Sequence, residues 1–334
     1  MTTRVLVTGA GGFIGHHLVT DLKRRGYWVR GVDLKMPEYK PTDADEFEIL
    51  DLRRWDACLE SMRGGIDEVY ALAADMGGMG FISAHHAEIL HNNALINLHT
   101  LEAARLNGVS RYLYSSSACI YPEYLQTDAD VKPLREEDAY PAQPQDAYGW
   151  EKLVTEKLCE YYASDYGIET RTVRFHNIYG PYGTYDGGRE KAPAALSRKI
   201  ALVDDGGEIE IWGDGEQTRS FCHVDDCVDG IYRLMRSDFG KPLNLGTDQM
   251  VTINELARMI IEISGKRDIR IRHVPGPQGV RGRNSDNTLL REVLGWEPAI
   301  SLEEGLAPTY AWIERQLGRG REESEWPTTV AAAG

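Results

Sequence analysis

Thr8-Gly9-Ala10-Gly11-Gly12-Phe13-Ile14-Gly15 follows the run Arg4-Val5-Leu6-Val7 and opens an amphipathic stretch over residues 13–25. A strand that turns through glycines into a helix has the form of a dinucleotide-binding βα unit. Gly9 permits the tight turn, Gly12 lets the backbone approach a pyrophosphate, and Gly15 allows the helix to pack closely on the strand. The free N–H groups of the first helical turn, at Phe13 and Ile14, carry the positive end of the helix dipole toward the phosphates. A glycine-rich turn alone is also an ordinary strand-to-helix loop. A second element decides between the two: Asp33 closes the expected strand Trp28–Asp33, 18 residues beyond Gly15. A carboxylate there holds the adenosine ribose hydroxyls and repels a 2′-phosphate, which predicts NAD rather than NADP. Asp51 and Leu52, after the third strand, lie within reach of the adenine, although a solvated loop position accounts for Asp51 almost as well.

Outward from this motif, short aliphatic runs at 46–50, 68–72, 111–115 and 170–175 alternate with long amphipathic stretches at 83–106 and 147–166. That alternation predicts an α/β fold with a Rossmann-type, doubly wound parallel sheet. The second half is less regular. Helices are expected at 193–203, 224–235, 252–264, 287–294 and 302–316, the third opening with a Thr252…Glu255 capping box. Strands are expected at 208–212 and 269–274. Residues 1–175 read as the NAD-binding domain, with about 220–245 rejoining it. Residues 176–318 read mainly as a smaller C-terminal sugar-nucleotide-binding lobe, and 319–334 as a frayed tail.

The chain has 334 residues, 42% of them hydrophobic, with a net charge of -15, so nucleic acid and anionic membrane are not expected partners. Five cysteines, odd in number and without a CxxC pair, point to a reducing cytosol and to no metal site. No run approaches the ~20 apolar residues of a membrane span. A strand pattern beginning at Arg4 leaves no room for a signal peptide, so a soluble cytoplasmic protein is expected.

Tyr148-Gly149-Trp150-Glu151-Lys152 places a tyrosine and a lysine on one helix face. Apart from its setting, YxxxK is a common surface pair. In a dinucleotide fold it has a chemical use, because a phenol with pKa ~10 is a poor base at neutral pH. An ammonium ~4 Å away at an effective dielectric of ~20 contributes about 4 kcal/mol. That approaches ~3 pKa units and would bring Tyr148 near neutrality. Ser115-Ser116-Ser117 ends the preceding strand and offers a hydroxyl to orient a substrate alcohol; Ser117 is favoured. Cys119 follows two residues later. A thiol with pKa ~8.5 becomes a carbon-acid base if positive charge lowers it. A lone cysteine is ordinarily a buried packing residue, the reading kept for Cys58, Cys159, Cys222 and Cys227.

The glycine motif, the serine run and YxxxK together resemble the extended short-chain dehydrogenases, which act largely on nucleotide sugars. Related sugar 4,6-dehydratases carry an Asp-Glu pair where this chain has Ala118-Cys119, which weighs against dehydration. Ala74–Phe81 (numbers 74–81, with Met76-Gly77-Gly78-Met79-Gly80), Ser116-Ser117-Ala118-Cys119-Ile120-Tyr121-Pro122, Gly188-Arg189-Glu190-Lys191-Ala192-Pro193 and Gly279-Val280-Arg281-Gly282-Arg283-Asn284-Ser285-Asp286-Asn287 are similar to the family of GDP-mannose 3,5-epimerases, and the likeness runs over nearly the whole chain. The resemblance implies that Tyr148 and Lys152 form the redox pair, and that Cys119 and Lys191 form the base and acid. NAD would oxidise carbon 4, acidifying the neighbouring hydrogens, and return the electrons after inversion at carbons 5 and 3. The GDP-sugar would meet Gly78, Asn177, Glu190, Lys191, Ala192, Gln217 and Ser285. Arg219, Arg281 and Arg283 would clamp the diphosphate as guanidinium forks, or some would make structural ion pairs instead. The superfamily also implies a homodimer built on helices 83–106 and 147–166. A fucose-synthase-like epimerase-reductase would consume NADPH, which Asp33 disfavours. A simple 4-epimerase would not need Cys119 and Lys191 together, and an NAD-binding sensor would need no acid–base set.

Overall fold

The computed structural model describes residues 2–318, so the tail expected at 319–334 lies outside the described residues. Its central sheet contains β1 (Arg4–Thr8), β2 (Trp28–Asp33), β3 (Glu46–Ile49), β4 (Glu68–Ala71), β5 (Arg111–Ser117), β6 (Glu169–Phe175) and the later strand Pro242–Leu245. The seven strands are all parallel, in the order Pro242–Leu245, β6, β5, β4, β1, β2, β3. The chain winds from β1 out to β3 and returns to β4 on the other side of β1. Open α/β sheets bind ligands at the crevice beyond such a reversal, off the carboxyl ends of the strands.

Alternation along β1 shows how both faces are filled. Val5 and Val7 join Leu18, Leu22, Ile231 and Leu243 under helices Phe13–Arg24 and Val224–Arg236. Leu6 points the other way, into a core with Val69, Leu101, Tyr112, Tyr114 and Cys159. That face is covered by helices Trp55–Ser61, His86–Leu106 and Ala147–Tyr166. A strand buried on both sides reads as a continuous apolar run, which is why β1 was so plain in the sequence.

A second core contains Leu196, Ile200, Ile209, Ile211, Phe221, Leu256, Ile260, Leu306 and Tyr310. It is built by helices Ala192–Leu202, Ile253–Ser264 and Leu302–Gln316 and by the parallel pair Glu208–Trp212 with Arg270–Val274. The expected capping box forms: the Glu255 N–H donates to Thr252 Oγ1 at 3.0 Å, and the Thr252 N–H donates to Glu255 Oε2 at 2.8 Å.

The helix expected at 83–106 begins only at His86, after a separate turn at Met79–Ile82. Tertiary packing overrides propensity there. The His85 ring stacks on Phe81 with centroids 4.4 Å apart, and Arg189 lies 3.8 Å over the Phe81 ring. Two further elements carry no strong periodic signal: the seven-residue helix Trp55–Ser61 and the four-residue strand Pro242–Leu245.

Candidate active site

The glycine turn lies at the end of β1. Gly9 has φ +71°, and a Cβ on Gly15 would overlap the Gly9 carbonyl oxygen, so neither position admits a side chain. Gly12 is the N-cap of helix Phe13–Arg24; no side chain caps it and its first turn holds no acidic residue. The N–H groups around Phe13 and Ile14 are therefore left for an anion. Gly11, rather than Gly12, makes the tightest approach to the second strand: its N–H donates to Asp33 Oδ2 at 3.0 Å, and a Cβ there would overlap the Lys35 carbonyl. Asp33 Oδ1 accepts from the Leu34 N–H at 2.6 Å. Each carboxylate oxygen keeps a second lone pair for a ribose hydroxyl. Burial pushes the Asp33 carboxyl up, opposed by these backbone donors. These features fit an NAD-type dinucleotide with an unmodified adenosine ribose. Leu52 is buried, while Asp51 faces Arg53 in an ion pair of 2.7 Å.

Tyr148 and Lys152 lie on helix Ala147–Tyr166, whose N-cap Asp146 accepts from the Gly149 N–H at 2.8 Å. Both are buried, at 6% and 1% exposure, so this YxxxK is not a surface pair. The Lys152 ammonium lies 5.4 Å from the centroid of the Tyr148 ring. Ser117 is within hydrogen-bonding reach of the Tyr148 hydroxyl and also accepts from the Cys119 N–H at 3.2 Å. Ser115 and Ser116 turn away, to the Ala71 carbonyl at 2.9 Å and to Glu156 at 2.5 Å. Within the protein itself the effect expected of Lys152 on Tyr148, which oxidised nicotinamide would reinforce, is outweighed. Burial, with Cys119, Glu151 and Asp146 nearby, holds the phenol well above its usual range. Lys152 is pushed down by the same burial.

Gly149 was not singled out in the sequence. A Cβ there would overlap the Cys119 carbonyl oxygen, so this glycine lets the tyrosine-bearing helix rest against the turn that carries the thiol. Cys119 is half-buried on the short turn Ala118–Ile120 and packs beside Tyr148. Arg283 donates from Nη1 to Cys119 Sγ at 3.4 Å, and from Nε to Gln126 Oε1 at 2.6 Å. Lys191 is the N-cap of helix Ala192–Leu202. Burial pushes its ammonium down, while the Cys119 sulfur is its largest opposing influence. The structure thus brings Tyr148, Ser117 and Cys119 together, with Lys191 near enough for the Cys119 sulfur to act on its ammonium.

Gly78 explains how Lys191 is brought there. Its N–H donates to the Arg189 carbonyl at 3.0 Å, and a Cβ on it would overlap the Glu190 carbonyl oxygen. Arg189 also donates to Asp75 at 3.1 Å. The Glu190 carboxylate accepts from the Gly188 N–H at 2.7 Å and from Arg198 at 3.3 Å.

The other expected nucleotide contacts are engaged within the protein. Arg281 makes a two-pronged ion pair with Asp214, at 2.7 and 2.9 Å, the structural alternative left open by the sequence. Arg219 donates to the carbonyls of Thr218 at 2.7 Å and Val280 at 2.6 Å; burial lowers it to about 9. Ser285 is fully buried and bonds Asn287 at 2.9 Å. Gln217 donates to the Trp212 carbonyl at 3.2 Å and leaves its buried Oε1 without a partner among the described residues. Asn177 has the unusual φ of 47° and donates to the Ser220 carbonyl at 2.9 Å. Ala192 starts its helix beside Lys191.

The model for the "NAD dependent epimerase/dehydratase family" matches residues 5–246. "GDP-mannose 3,5-epimerase 1" of Oryza sativa subsp. japonica is 54% identical over 94% of this chain and 82% of its own length. "GDP-mannose 3,5-epimerase" of Arabidopsis thaliana is 52% identical over 94% of this chain and 83% of its own. Among solved structures, the UDP-glucose 4-epimerase of Thermotoga maritima superposes with a TM-score of 0.85 at 29% identity, covering 94% of this chain and 100% of that one.

Proposed function

The chain belongs to the NAD dependent epimerase/dehydratase family, and within it we propose a GDP-mannose 3,5-epimerase, converting GDP-D-mannose to GDP-L-galactose and, by inversion at carbon 5 alone, to GDP-L-gulose. The observation that carries this reading is the grouping of Cys119, under the Arg283 guanidinium, with Lys191 and the Tyr148–Ser117 pair. A redox pair alone suffices for inversion at carbon 4; a thiol and an amine beside it supply a base and an acid for the neighbouring carbons.

In this reading bound NAD would supply a reversible two-electron acceptor for carbon 4. Ser117 holds the carbon 4 hydroxyl and Tyr148 takes its proton. Lys152 offsets the phenolate charge that burial otherwise penalises. The ketone formed at carbon 4 acidifies the hydrogens at carbons 5 and 3. Cys119 accepts one of these protons as Arg283 steadies the sulfur, and Lys191 delivers a proton to the opposite face. Tyr148 returns its proton when carbon 4 is reduced again, leaving the cycle redox-neutral.

The homodimer belongs to the same proposal. Leu90 and Leu98 of one long helix and Trp150, Val154 and Tyr161 of the other are exposed, between 44% and 64%. A paired copy related by a two-fold axis would cover this apolar face. All five cysteines are free thiols, which supports a cytoplasmic setting.

Purified protein given GDP-mannose and no cofactor should yield the galactose and gulose products. Unchanged GDP-mannose from folded, NAD-loaded protein would overturn the assignment.

A further inference from the structure

Helix Ala147–Tyr166 buries two carboxylates behind its catalytic face, five residues apart. Glu156 is consumed locally: Arg174 donates to both of its oxygens, at 2.9 and 2.8 Å, and Ser116 donates to it as well. Glu151 has no such cation of its own. It is 2% exposed, and its Oε1 accepts from the Asn97 amide and from the Tyr114 hydroxyl at 3.3 Å. The same oxygen lies 4.0 Å from Lys152 Nζ, and Oε2 has no hydrogen-bond partner among the described residues. A buried acid half-satisfied in this way is costly as an anion: burial pushes the Glu151 carboxyl up, and Lys152 is the strongest influence holding it down.

The group it faces needs that charge. Lys152 is 1% exposed, and its ammonium sits 4.9 Å from the centroid of the Tyr114 ring and 5.4 Å from that of Tyr148. We propose that Glu151 is a positioning residue of the redox step: held by Asn97 and Tyr114, its carboxylate keeps Lys152 charged and in place beside Tyr148. Glu151 touches neither substrate nor cofactor in this role and acts through Lys152. The inference rests on the reading of Tyr148 and Lys152 as the redox pair.

Helix His86–Leu106 presents the neutral amides of Asn93 and Asn97, and β5 presents Tyr114. The shared helix adds Tyr148, Cys159 and the Arg174-bound Glu156, and the turn at Ala118–Ile120 adds Cys119. Burial pushes Lys152 down, and Glu151 is the strongest of the influences holding it up. Without that carboxylate Lys152 should lose its proton at lower pH.

The test is the pH profile of kcat for GDP-mannose epimerisation in Glu151→Gln, which keeps the size and the hydrogen-bonding oxygen of the side chain. The alkaline limb is expected to move down by roughly one to three pH units, with KM within about twofold of wild type. Glu151→Asp should restore most of the wild-type limb. Tyr114→Phe removes only the hydroxyl donor and should move the limb the same way, by less, which decides the matter if Glu151→Gln does not fold. A merely structural role would lower the melting temperature and leave the limb in place. Profiles that superimpose on wild type in the folded variants overturn the proposal. Lys152→Met separates the two layers: if it turns over normally, the redox-pair reading itself fails, whereas its inactivity beside an unmoved Glu151→Gln profile sinks only the role of Glu151.

Discussion

Arg283 donates from Nη1 to the sulfur of Cys119 across 3.4 Å, although 164 residues separate them in the chain. The contact places a cation that is always protonated beside the proposed carbon-acid base. It also binds the C-terminal segment to the turn after β5, so the thiol is fixed from both parts of the chain.

Arg283→Met is expected to slow deuterium uptake at carbons 5 and 3 by roughly 10- to 100-fold, the worth of a hydrogen bond to a charged group at about 1.5–3 kcal/mol. Oxidation at carbon 4, followed as reduced-nicotinamide absorbance, should persist. Uptake at the wild-type rate would remove Arg283 from the proton chemistry.

Gly78→Ala tests how Lys191 is placed. The added methyl group meets the Glu190 carbonyl and must displace the segment leading to Lys191. Turnover should fall about tenfold or more, since small misplacements of reacting groups are costly. Unfolding free energy should drop by only about 1–3 kcal/mol. An enzyme that loses stability but keeps full turnover would show that this contact serves the fold alone.

What the sequence disclosed and what it hid divides by range. The turn at Gly9–Gly15 (numbers 9–15), Asp33 and the pair Tyr148–Lys152 are local patterns, each read from one strand and the helix or loop beside it. The seven-stranded parallel sheet follows from that periodicity, although the strand Pro242–Leu245 is too short to announce itself. The arginines were different. A guanidinium looks the same in sequence whether it pairs with Asp214, as Arg281 does, or leans on a sulfur, as Arg283 does. Gly78 and Gly149 are legible only once the carbonyls they would strike are in place, at Glu190 and Cys119. Glu151 carries no signal in the sequence because its neighbours Asn97 and Tyr114 come from other elements.

His176 makes stability depend on pH. It is fully buried, bonds Asn244 at 3.1 Å through Nε2 and leaves Nδ1 without a partner among the described residues; burial lowers its pKa to about 3. A folded value below the unfolded one near 6.5 means that its contribution is present above about pH 6.5 and is lost as pH falls toward about 3. His16, His17 and His223 are also pushed down by burial and act in the same sense. Between about pH 7 and about pH 5.5, His176→Gln should therefore lose about 1 kcal/mol less stability than wild type in urea unfolding. Parallel losses would contradict a buried neutral imidazole.

Val154→Glu puts a charge in the middle of the exposed apolar face formed with Leu90, Leu98, Trp150 and Tyr161. Light scattering should show a dimer for wild type and a monomer for the variant. A wild-type monomer at micromolar concentration would leave that face without the proposed partner.

The most direct test of the epimerase reading is GDP-mannose incubated with the purified protein in deuterium oxide, without added cofactor, and followed by NMR. Deuterium at carbons 3 and 5, with new gulose- and galactose-type signals and none of either in Cys119→Ser, is the predicted result. Deuterium at neither carbon, from protein shown to be folded and loaded with NAD, would contradict the assignment of GDP-mannose and the acid–base roles of Cys119 and Lys191 with it.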